Sequence, residues 1–312
     1  MDKNTAFSFV MPAYKKRFLY KAIDSILKQN YQDFELVIVN DASPEGLEDV
    51  IQQFHDERIR YEINQINIGR HDLIANWNHC IQFAKNEYVI LASDDDMFET
   101  DFLSKASKLI CKYPKVDIIR SGVKKIDEHD NILDYEFPMK EYMTSREYTL
   151  SYAKGRTISC VSNYVFKKEV LYNLGGFISF PHAHYSDDAT VLALTHNGIA
   201  CISTNEMNFR MSKTNLSNSY DLKIVKDQLI ATELYLEWFL HHAKNLDKIP
   251  NDFFYRACYG GVKARYLTMI DNLLSKIPLH KIHYVIQYIV CNKHMFKKEK
   301  CKILFSYFIN RL

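Results

Sequence analysis

The pattern with the clearest chemical meaning is a set of aspartates placed where apolar segments end. Asp94-Asp95-Asp96 follow the segment Tyr88–Ser93, and Asp41 follows Phe34–Asn40. Adjacent ionised carboxylates repel one another unless a cation or hydrogen bonds offset the repulsion. Carboxylate oxygens suit Mg²⁺ or Mn²⁺, whose remaining positions water and substrate phosphates can fill. The simpler interpretation is that Asp96 to Asp101 only open the helix that follows.

A second acidic pair, Asp187-Asp188, comes just before a helix-compatible segment, Ala189–Leu194. Both carboxylates are therefore expected at a helix N-terminus. No Gly-x-Gly-x-x-Gly or Gly-Lys-Ser/Thr loop follows any candidate strand, so neither a dinucleotide fingerprint nor a P-loop is indicated. Carboxylates without a glycine-rich loop favour a nucleotide diphosphate held by a cation.

The acids must be positioned by the surrounding strands and helices. Through the first 120 residues, short apolar segments alternate with segments of helical periodicity, a pattern typical of βαβ units around a parallel sheet. We expect strands at Phe7–Met11, Phe34–Asn40, Ile59–Ile63, Tyr88–Ser93 and Val116–Arg120. The intervening helices are predicted at Leu19–Gln29, Gly46–His55, Arg70–Lys85 and Asp101–Tyr113. Ligands bind beyond the carboxyl ends of parallel strands, so three loops should converge on one rim that carries four carboxylates.

The remaining sequence divides at about residue 220. Residues 121–219 are mixed, with a hairpin at Lys125–Tyr135, a strand at Cys160–Phe166 and a short helix closed by Gly175-Gly176. From Tyr220 onward the pattern is nearly all helical, with expected breaks at Pro250, Gly260-Gly261 and Pro278. We therefore predict an α/β part, 1–219, and a helical part, 220–312.

The composition is that of an ordinary globular chain: 47% hydrophobic and 25% charged among 312 residues. These values argue against intrinsic disorder and collagen-like repeats. Seven scattered cysteines without a Cys-x-x-Cys spacing favour a reducing compartment over a zinc module or a disulfide framework. Neither a secretory signal nor a membrane-spanning segment is expected, so the predicted location is cytoplasmic.

Charge is unevenly distributed along the chain. Residues 220–312 carry 15 Lys and Arg against 8 Asp and Glu, and Glu299 is the only acid after Asn272. Such a basic segment predicts binding to an anionic partner. Its apolar stretches, Ile282–Val290 and Ile303–Ile309, suit the interface of an anionic membrane. The alternative is a helical bundle packed on the α/β part with a solvated basic face.

Six ordered pieces within Phe7–Phe102 carry a family resemblance. They are Val10-Met-Pro-Ala-Tyr14, Ala22–Gln29 with Tyr31, Phe34–Ser43, Asn67-Ile-Gly69, Asn86–Val89 and Ser93-Asp-Asp-Asp96. This segment resembles the nucleotide-binding half of family 2 glycosyltransferases, which have the GT-A fold. The likeness continues weakly at Gly175-Gly-Phe177, Asp187-Asp188 and Phe209-Arg210. It implies a catalytic domain over 1–219, in which 1–120 binds the nucleotide sugar and 121–219 faces the acceptor.

The resemblance also implies a nucleotide pocket. Pro12 to Tyr14 match the loop that flanks the base, and Asp41 matches the carboxylate that contacts the base or ribose. Arg70 matches a pocket-lining residue, although the family often has Ala-Arg-Asn where this chain has Ile74-Ala-Asn76. A turn cap remains the alternative for Asp41, and a solvated helix start remains the alternative for Arg70.

For the divalent metal, Mn²⁺ or Mg²⁺, the family's Asp-x-Asp-Asp motif can be aligned in two ways. Counting from the preceding strand makes Asp95 the metal ligand, with Asp94 near the donor sugar or ribose. In the other alignment, Asp94 and Asp96 are the two ends of the motif. Ser212 stands where the family often has a metal-binding histidine, so His182 or His184 could supply that ligand instead.

In the family, the second acid of the pair at Asp187-Asp188 is the base, so the resemblance makes Asp188 the group that deprotonates the acceptor hydroxyl. The implied reaction is inverting transfer from a nucleotide-diphosphate sugar, expected to be a UDP-sugar, to a glycan or lipid-linked oligosaccharide. This activity would serve cell-surface polysaccharide biosynthesis, with peripheral attachment at the inner face of the plasma membrane and no nucleic acid partner. The alternatives are a metal-dependent nucleotidyltransferase and a non-catalytic nucleotide-sugar or glycan-binding module.

Overall fold

The computed structural model describes residues 5–212, 220–246 and 253–309. The strands are β1 Phe7–Ala13, β2 Phe34–Asn40, β3 Ile59–Ile63, β4 Tyr88–Leu91, β5 Met97–Phe98, β6 Ile118–Ile126, β7 Ile132–Tyr135, β8 Tyr142–Met143, β9 Tyr164–Lys167 and β10 Ile199–Arg210. The helices are α1 Leu19–Leu27, α2 Glu48–Ile51, α3 Leu73–Ile81, α4 Phe102–Lys112, α5 Ser145–Ala153, α6 Lys168–Asn173, α7 Ser186–Leu194, α8 Leu222–Leu246, α9 Phe253–Ser275, α10 Ile282–Cys291 and α11 Lys297–Ile309.

The chain forms two compact units. The first, the sheet unit, comprises Met1–Tyr148, Arg156–Ser179 and Ser186–Ser212. The second, the helical unit, comprises Thr149–Gly155, Phe180–Tyr185 and Lys213–Leu312. The proposed domain boundary at 219/220 adjoins residues 213–219, which lie outside the described residues.

The sheet unit is built on one large sheet with the strand order β3-β2-β1-β4-β9-β6-β10-β5. Strands β3, β2, β1 and β4 are parallel to their neighbours within this part, as the βαβ pattern predicts. Beyond β4 the directions are mixed, since β9 is antiparallel to β4 and β6, whereas β10 is parallel to β6. Strands β7 and β8 pair with β6 and β10. The fold is the expected α/β architecture, in which the first four strands of the order form a parallel half.

Helices cover both faces of the parallel strands. In β2, Leu36 and Ile38 join the core that contains the buried face of α1, while Val37 and Val39 are buried on the opposite side. Burial of both faces explains why β2 has an almost continuous apolar sequence. Each fully buried aliphatic side chain of this kind contributes roughly 1.5–3 kcal/mol to folding.

The predicted elements of the sheet unit all form, with shifts at their ends. Helix α3 begins at Leu73 instead of Arg70 because Asp72 caps it, its carboxylate accepting from the amide of Ala75 at 2.9 Å. Helix α2 is limited to Glu48–Ile51, since Gly46 has a left-handed φ of 64° that precludes a helical start there. The predicted strand Cys160–Phe166 begins as a 3₁₀ turn, and β9 starts at Tyr164.

The helical unit contains α8 to α11, as the sequence pattern predicts for its described part. The expected break at Gly260-Gly261 is wrong, because both glycines lie inside α9. A Cβ at Gly261 would lie 2.5 Å from the carbonyl oxygen of Ala153, so glycine here allows close backbone approach instead of ending the helix. The break at Pro278 is confirmed, and Pro250 lies outside the described residues.

Within residues 5–212, 220–246 and 253–309, no helix has the combination of length and apolar character needed to cross a bilayer.

Candidate active site

The loops after β1, β2 and β4 meet at one edge of the sheet. The register places Ala13 opposite Asn40, and Val10 opposite Leu91. Beyond these pairs, the amides of Tyr14 and Lys15 donate to Asp94 Oδ2 at 2.8 and 2.7 Å. The Ser43 hydroxyl donates to the carbonyl of Tyr14 at 2.6 Å, which joins the β1 and β2 loops. The structure therefore forms the rim that the strand order predicts.

Asp94 links two loops through hydrogen bonds: the loop after β4, which contains Asp94 to Asp96 and is called the acidic loop, and the loop after β1, called the β1 loop. Burial raises the pKa of its carboxyl to about 6, and the two amides from Tyr14 and Lys15 act in the opposite direction by favouring the charged form. Because one oxygen accepts both bonds, the shape of the Tyr14 loop depends on this side chain. Asp94 can thus position the residues expected beside the nucleotide.

Asp96 is held on the other side of the loop. It is 2% exposed, and its two oxygens accept from the Arg210 amide and the Ser162 hydroxyl, both at 3.0 Å. Burial, followed by the charge of Asp95, raises the pKa of Asp96 well above its usual range. Asp96 does not open the next helix, because β5 intervenes and α4 begins at Phe102; of the residues from Asp96 to Asp101, Asp101 is the N-cap of α4.

Asp95 differs from both neighbours because its carboxylate accepts no hydrogen bond from another residue in the described part of the chain. Its backbone carbonyl accepts from Arg210 Nε at 2.8 Å. Burial raises the pKa of the Asp95 carboxyl, while the charges of Lys15 and Arg210 lower it. Of the three aspartates, Asp95 therefore has the carboxylate that is available to a ligand.

These residues fit the implied divalent cation through the chemistry of their oxygens. Among residues 5–212, 220–246 and 253–309, no three His, Cys, Asp or Glu side chains group into a complete metal site. Mg²⁺ and Mn²⁺ are commonly held by one or two carboxylates together with substrate phosphates. Asp95 can be such a ligand, provided that the diphosphate supplies the rest.

The histidines considered as further ligands have other surroundings. His182 Nε2 lies 3.0 Å from Asp227 Oδ2, and both residues belong to the helical unit. Burial lowers the pKa of His184 to about 4, so its imidazole is neutral at physiological pH. Because of the contact with Asp227, His182 is already engaged by a carboxylate. Ser212, which stands at the family's histidine position, is 4% exposed.

Arg210 is the residue whose role at the site the sequence did not reveal. It is fully buried, with its guanidinium 4.3 Å from the ring centre of Phe18. Nη1 donates to the carbonyl of Asp127 at 2.9 Å and to the carboxylate of Asp130 at 2.6 Å. Together with its bonds to Asp95 and Asp96, Arg210 joins the acidic loop to the turn between β6 and β7. The family likeness at Phe209-Arg210 was the available signal.

Asp41 holds a neighbouring loop. It is 3% exposed, and its Oδ1 accepts from Asn64 Nδ2 at 2.8 Å and from the Ile68 amide at 2.9 Å. Its Oδ2 accepts from the Gly69 amide at 2.8 Å, and a Cβ at Gly69 would lie 2.9 Å from that oxygen. Asp41 is thus more than a cap of its own turn, because it fixes the segment that leads to Arg70.

The other residues assigned to the nucleotide pocket lie near these loops. Pro12 is half-buried in β1, and Tyr14 is 39% exposed on the loop that Asp94 holds. Arg70 is exposed, and its amide donates to Asn67 Oδ1 at 2.7 Å. Within the described residues, its guanidinium makes no hydrogen bond or ion pair. Tyr14 and Arg70 therefore have side-chain groups that a nucleotide could reach.

The second acidic pair occupies the first turn of α7, as predicted. The amide of Asp188 donates to Asp187 Oδ1 at 2.9 Å. Burial and the charge of Asp188 raise the pKa of Asp187 well above its usual range. The Cys160 thiol, whose pKa burial raises, also feels the charges of Asp96 and Asp187. The acidic loop and the start of α7 therefore lie within electrostatic reach of the same residue.

The backbone just before α7 is strained. His182, Ala183 and Tyr185 have φ values of 53°, 56° and 70°, a region that side-chain-bearing residues rarely adopt. Such strain persists where the surrounding structure over-determines it, and it is concentrated at functional segments. The sequence offered no signal for it, since none of these positions is glycine.

Curated relatives of this chain are named as glycosyltransferases. EpsE of Bacillus subtilis (strain 168), named as a glycosyltransferase, is 29% identical over 132 residues, 41% of this chain and 46% of EpsE. TuaG of the same organism, named for glycosyl transfer in teichuronic acid biosynthesis, is 24% identical over 221 residues, 68% of this chain and 81% of TuaG. The chain spans about half the length of EpsE.

Two solved structures share the fold. Residues 1–349 of S. aureus TarS, in complex with UDP-GlcNAc, align with 98% of this chain and 92% of theirs at a TM-score of 0.60 and 13% identity. The mannosyltransferase PcManGT of Pyrobaculum calidifontis, in complex with GDP-Man and Mn²⁺, aligns with 97% of this chain and 84% of its own at a TM-score of 0.54 and 15% identity. At these identities the likeness shows the fold alone.

The family comparison covers the strand-end loops of the site. The profile described as "Glycosyl transferase family 2" matches residues 8–175, more than half of the 312-residue chain. That range includes the three strand-end loops and the acidic triplet. The chain belongs to glycosyl transferase family 2.

Proposed function

We propose that this chain is an inverting, metal-dependent glycosyltransferase. It transfers a sugar from a nucleotide-diphosphate donor, a UDP-sugar, to a hydroxyl of a glycan or lipid-linked oligosaccharide in cell-surface polysaccharide biosynthesis. Family membership, the name of TuaG and the UDP-GlcNAc complex of TarS support this proposal.

The observation that carries the proposal is the division of roles within Asp94-Asp95-Asp96. Asp94 is engaged by the β1 loop and Asp96 by β10, which leaves the carboxylate of Asp95 beside the charges of Lys15 and Arg210. A carboxylate with cations near it suits a metal–diphosphate complex, because the carboxylate can bind the metal while the cations attract the phosphates. A bound divalent cation would stabilise the charge that develops on the departing diphosphate. The Mn²⁺ complex of PcManGT supports this cofactor class.

For the donor, we propose that Pro12 and Tyr14 flank the base, while the Asp41-held segment 64–70 closes the other side. Asp41 fixes Ile68 and Gly69 by their amides, so Arg70 follows directly from a rigid turn. The exposed guanidinium of Arg70 can then contact the nucleotide. Asp94 lies between the β1 loop and Asp95, a placement that suits contact with the ribose or donor sugar.

For the acceptor, we propose Asp188 as the general base. Asp187 caps the amide of Asp188, and its raised pKa means that it retains a proton more readily than an ordinary carboxylic acid. A base at Asp188 would accept the proton of the attacking hydroxyl as the hydroxyl reaches the anomeric carbon opposite the diphosphate. Attack from that face inverts the configuration. Residues 121–219 would then form the acceptor side of a catalytic domain over 1–219.

We also propose that the enzyme works at the inner face of the plasma membrane, with its helical region, 220–312, as the peripheral attachment. Lipid-linked acceptors are found at that surface. The bias of 15 basic against 8 acidic residues in this region supports attraction to anionic lipid.

A donor-hydrolysis assay tests the proposed activity. Purified protein is incubated with single UDP-sugars, with Mn²⁺ or Mg²⁺ or with chelator, and release of UDP is measured together with thermal stabilisation. We expect metal-dependent UDP release from at least one donor, and loss of that release in Asp95→Asn. Pyrophosphate release from a nucleoside triphosphate would instead identify a nucleotidyltransferase. Donor binding without turnover, even with acceptor panels, would identify a binding module.

A further inference from the structure

Helix α11 presents a continuous face of lysines and aromatic residues to solvent. Its buried side is formed by Ile303 and Tyr307, which are 5% and 1% exposed. On the opposite side, successive exposed positions recur every three or four residues. These positions are Lys297, Lys298, Cys301, Lys302, Phe305, Phe308 and Ile309. Phe305 is 67% exposed and Phe308 is 43% exposed, although both are large apolar side chains.

Helix α10 and the turn after it also expose large apolar side chains. Val285 and Ile289 are buried, whereas Ile286 and Val290 are 42% and 65% exposed on the other side of the helix. Phe296, in the turn before α11, is 66% exposed. A hydrogen bond from Lys300 Nζ to the carbonyl of Val290, at 2.7 Å, joins the two helices. We call the exposed residues of α10, α11 and this turn the basic aromatic face.

Lys293 of this face pairs with Glu237 at 2.7 Å, but three lysines of α11 have no acidic partner within the described residues. Glu299 is the only acid after Asn272, and it pairs with Lys263 at 3.2 Å. Within the described residues, Lys297, Lys298 and Lys302 make no ion pair or hydrogen bond to a side chain. The face therefore combines unneutralised cations with exposed apolar groups, which is unusual for a surface that only contacts water.

Charge decides between the partners that an apolar, basic face could bind. A second copy of this chain would bring like charges together, since the face contains cations without an exposed acid. A nucleic acid could neutralise the lysines and stack on phenylalanines, but it offers no apolar environment to Ile286, Val290 and Ile309. An anionic lipid surface satisfies both needs, because headgroups neutralise the lysines and the acyl boundary accepts the apolar side chains.

We infer that the basic aromatic face docks the protein onto an anionic membrane, with α10 and α11 lying in the interface. The inference refines the membrane attachment in the proposed function by assigning it to particular residues. Its chemistry is independent of Asp95 and Asp188. The buried sides of both helices, including the Tyr307 hydroxyl bonded to the carbonyl of Ile277 at 3.0 Å, keep the helical unit folded during docking.

Vesicle flotation tests this inference with the full chain. Phosphatidylcholine vesicles with and without phosphatidylglycerol are compared at low and high salt. We expect binding only to the anionic vesicles, and weakening by salt. Lys297→Gln, Lys298→Gln and Lys302→Gln together should reduce partitioning roughly 100-fold, since each lysine near the surface contributes about fivefold. Phe305→Ser with Phe308→Ser should reduce it at least about tenfold.

Matched controls separate docking from general charge and from folding. Lys85→Gln, Lys108→Gln and Lys115→Gln remove the same charge from exposed positions of the sheet unit and should leave partitioning nearly unchanged. All variants should keep the wild-type melting temperature, because no altered side chain is buried. Asp95→Asn should bind vesicles as the wild type does, so loss of catalysis and loss of docking are distinguishable.

Three results would overturn the inference. The first is a wild-type chain that ignores phosphatidylglycerol vesicles at low salt. The second is a lysine triple variant that loses no more partitioning than its sheet-unit control. The third is a dimer in vesicle-free solution that Phe305→Ser with Phe308→Ser dissociates, since the face would then be covered by a second copy.

Discussion

The most informative substitution is Asp95→Asn, because it separates ligand binding from folding at one position. The side chain keeps its size and loses its charge. The Asp95 carboxylate accepts no hydrogen bond from another described residue, and burial already disfavours its ionised form. We therefore expect the free energy of unfolding to change by less than about 1 kcal/mol.

Metal-dependent nucleotide binding should respond strongly to the same change. Loss of a residue that only supports a metal ligand costs 10- to 100-fold in affinity, so loss of the ligand itself should cost at least about 100-fold. At a UDP concentration 100 times the Kd, binding raises the free energy of unfolding of the wild-type protein by about 2.7 kcal/mol. For a domain of this size, that corresponds to a rise in Tm of about 5–10 °C. Asp95→Asn should show almost none of this rise under the same conditions.

Asp96→Ala is the matched comparison, and the assay is thermal unfolding with UDP, with and without Mn²⁺. This variant leaves the Arg210 amide and the Ser162 hydroxyl without their acceptor, at a cost of about 1–3 kcal/mol each. Its Tm should fall by several degrees before any ligand is added. If Asp95→Asn keeps the metal-dependent rise while Asp96→Ala loses it without a lower Tm in the absence of ligand, the assignment within the triplet is wrong.

Three other predictions concern the base and two buried arginines. Asp188→Asn should keep donor binding and lose transfer by roughly 10²- to 10⁴-fold; a silent Asp188→Asn, with that loss in Asp187→Asn, would move the base by one residue. Glu136→Gln should destabilise the fold by about 3–5 kcal/mol in urea unfolding, because Arg120 is 1% exposed and bonds Glu136 at 2.5 Å. Arg210→Gln should weaken metal-dependent UDP binding about 10- to 100-fold, as measured by calorimetry; unchanged affinity in folded protein would refute its positioning role.

The local sequence pattern was sufficient to predict the parallel half of the sheet. Strand β2 occupies the range predicted for it, because a strand covered on both faces is apolar throughout and is bounded by polar residues. Strand β3 also occupies its predicted range, although it is a half-exposed edge strand in which apolar and charged residues alternate. Convergence of the loops after β1, β2 and β4 follows from strand order alone. The sequence therefore predicts where the acidic residues gather, since this depends on elements close together in the chain.

Bonds between distant residues could not be predicted in the same way. The glycines at 260 and 261 indicate a break by local propensity, yet Gly261 is needed for approach to Ala153, more than 100 residues earlier. The pairing of His182 with Asp227 likewise depends on packing within the helical unit. In both cases a tertiary contact determines the role of a residue whose type alone suggested another.

The acidic triplet shows how packing assigns different roles to identical neighbours. Three ionised carboxylates in a row would be unfavourable, and the structure reduces the repulsion by giving each a different environment. Asp94 accepts two amides from the β1 loop, while Asp96 is buried against β10 and has a raised pKa. Asp95 remains close to the charges of Lys15 and Arg210, which lower its pKa and so favour the ionised carboxylate that would bind the metal of a metal–diphosphate complex. The outer two aspartates then fix the geometry of the one that binds.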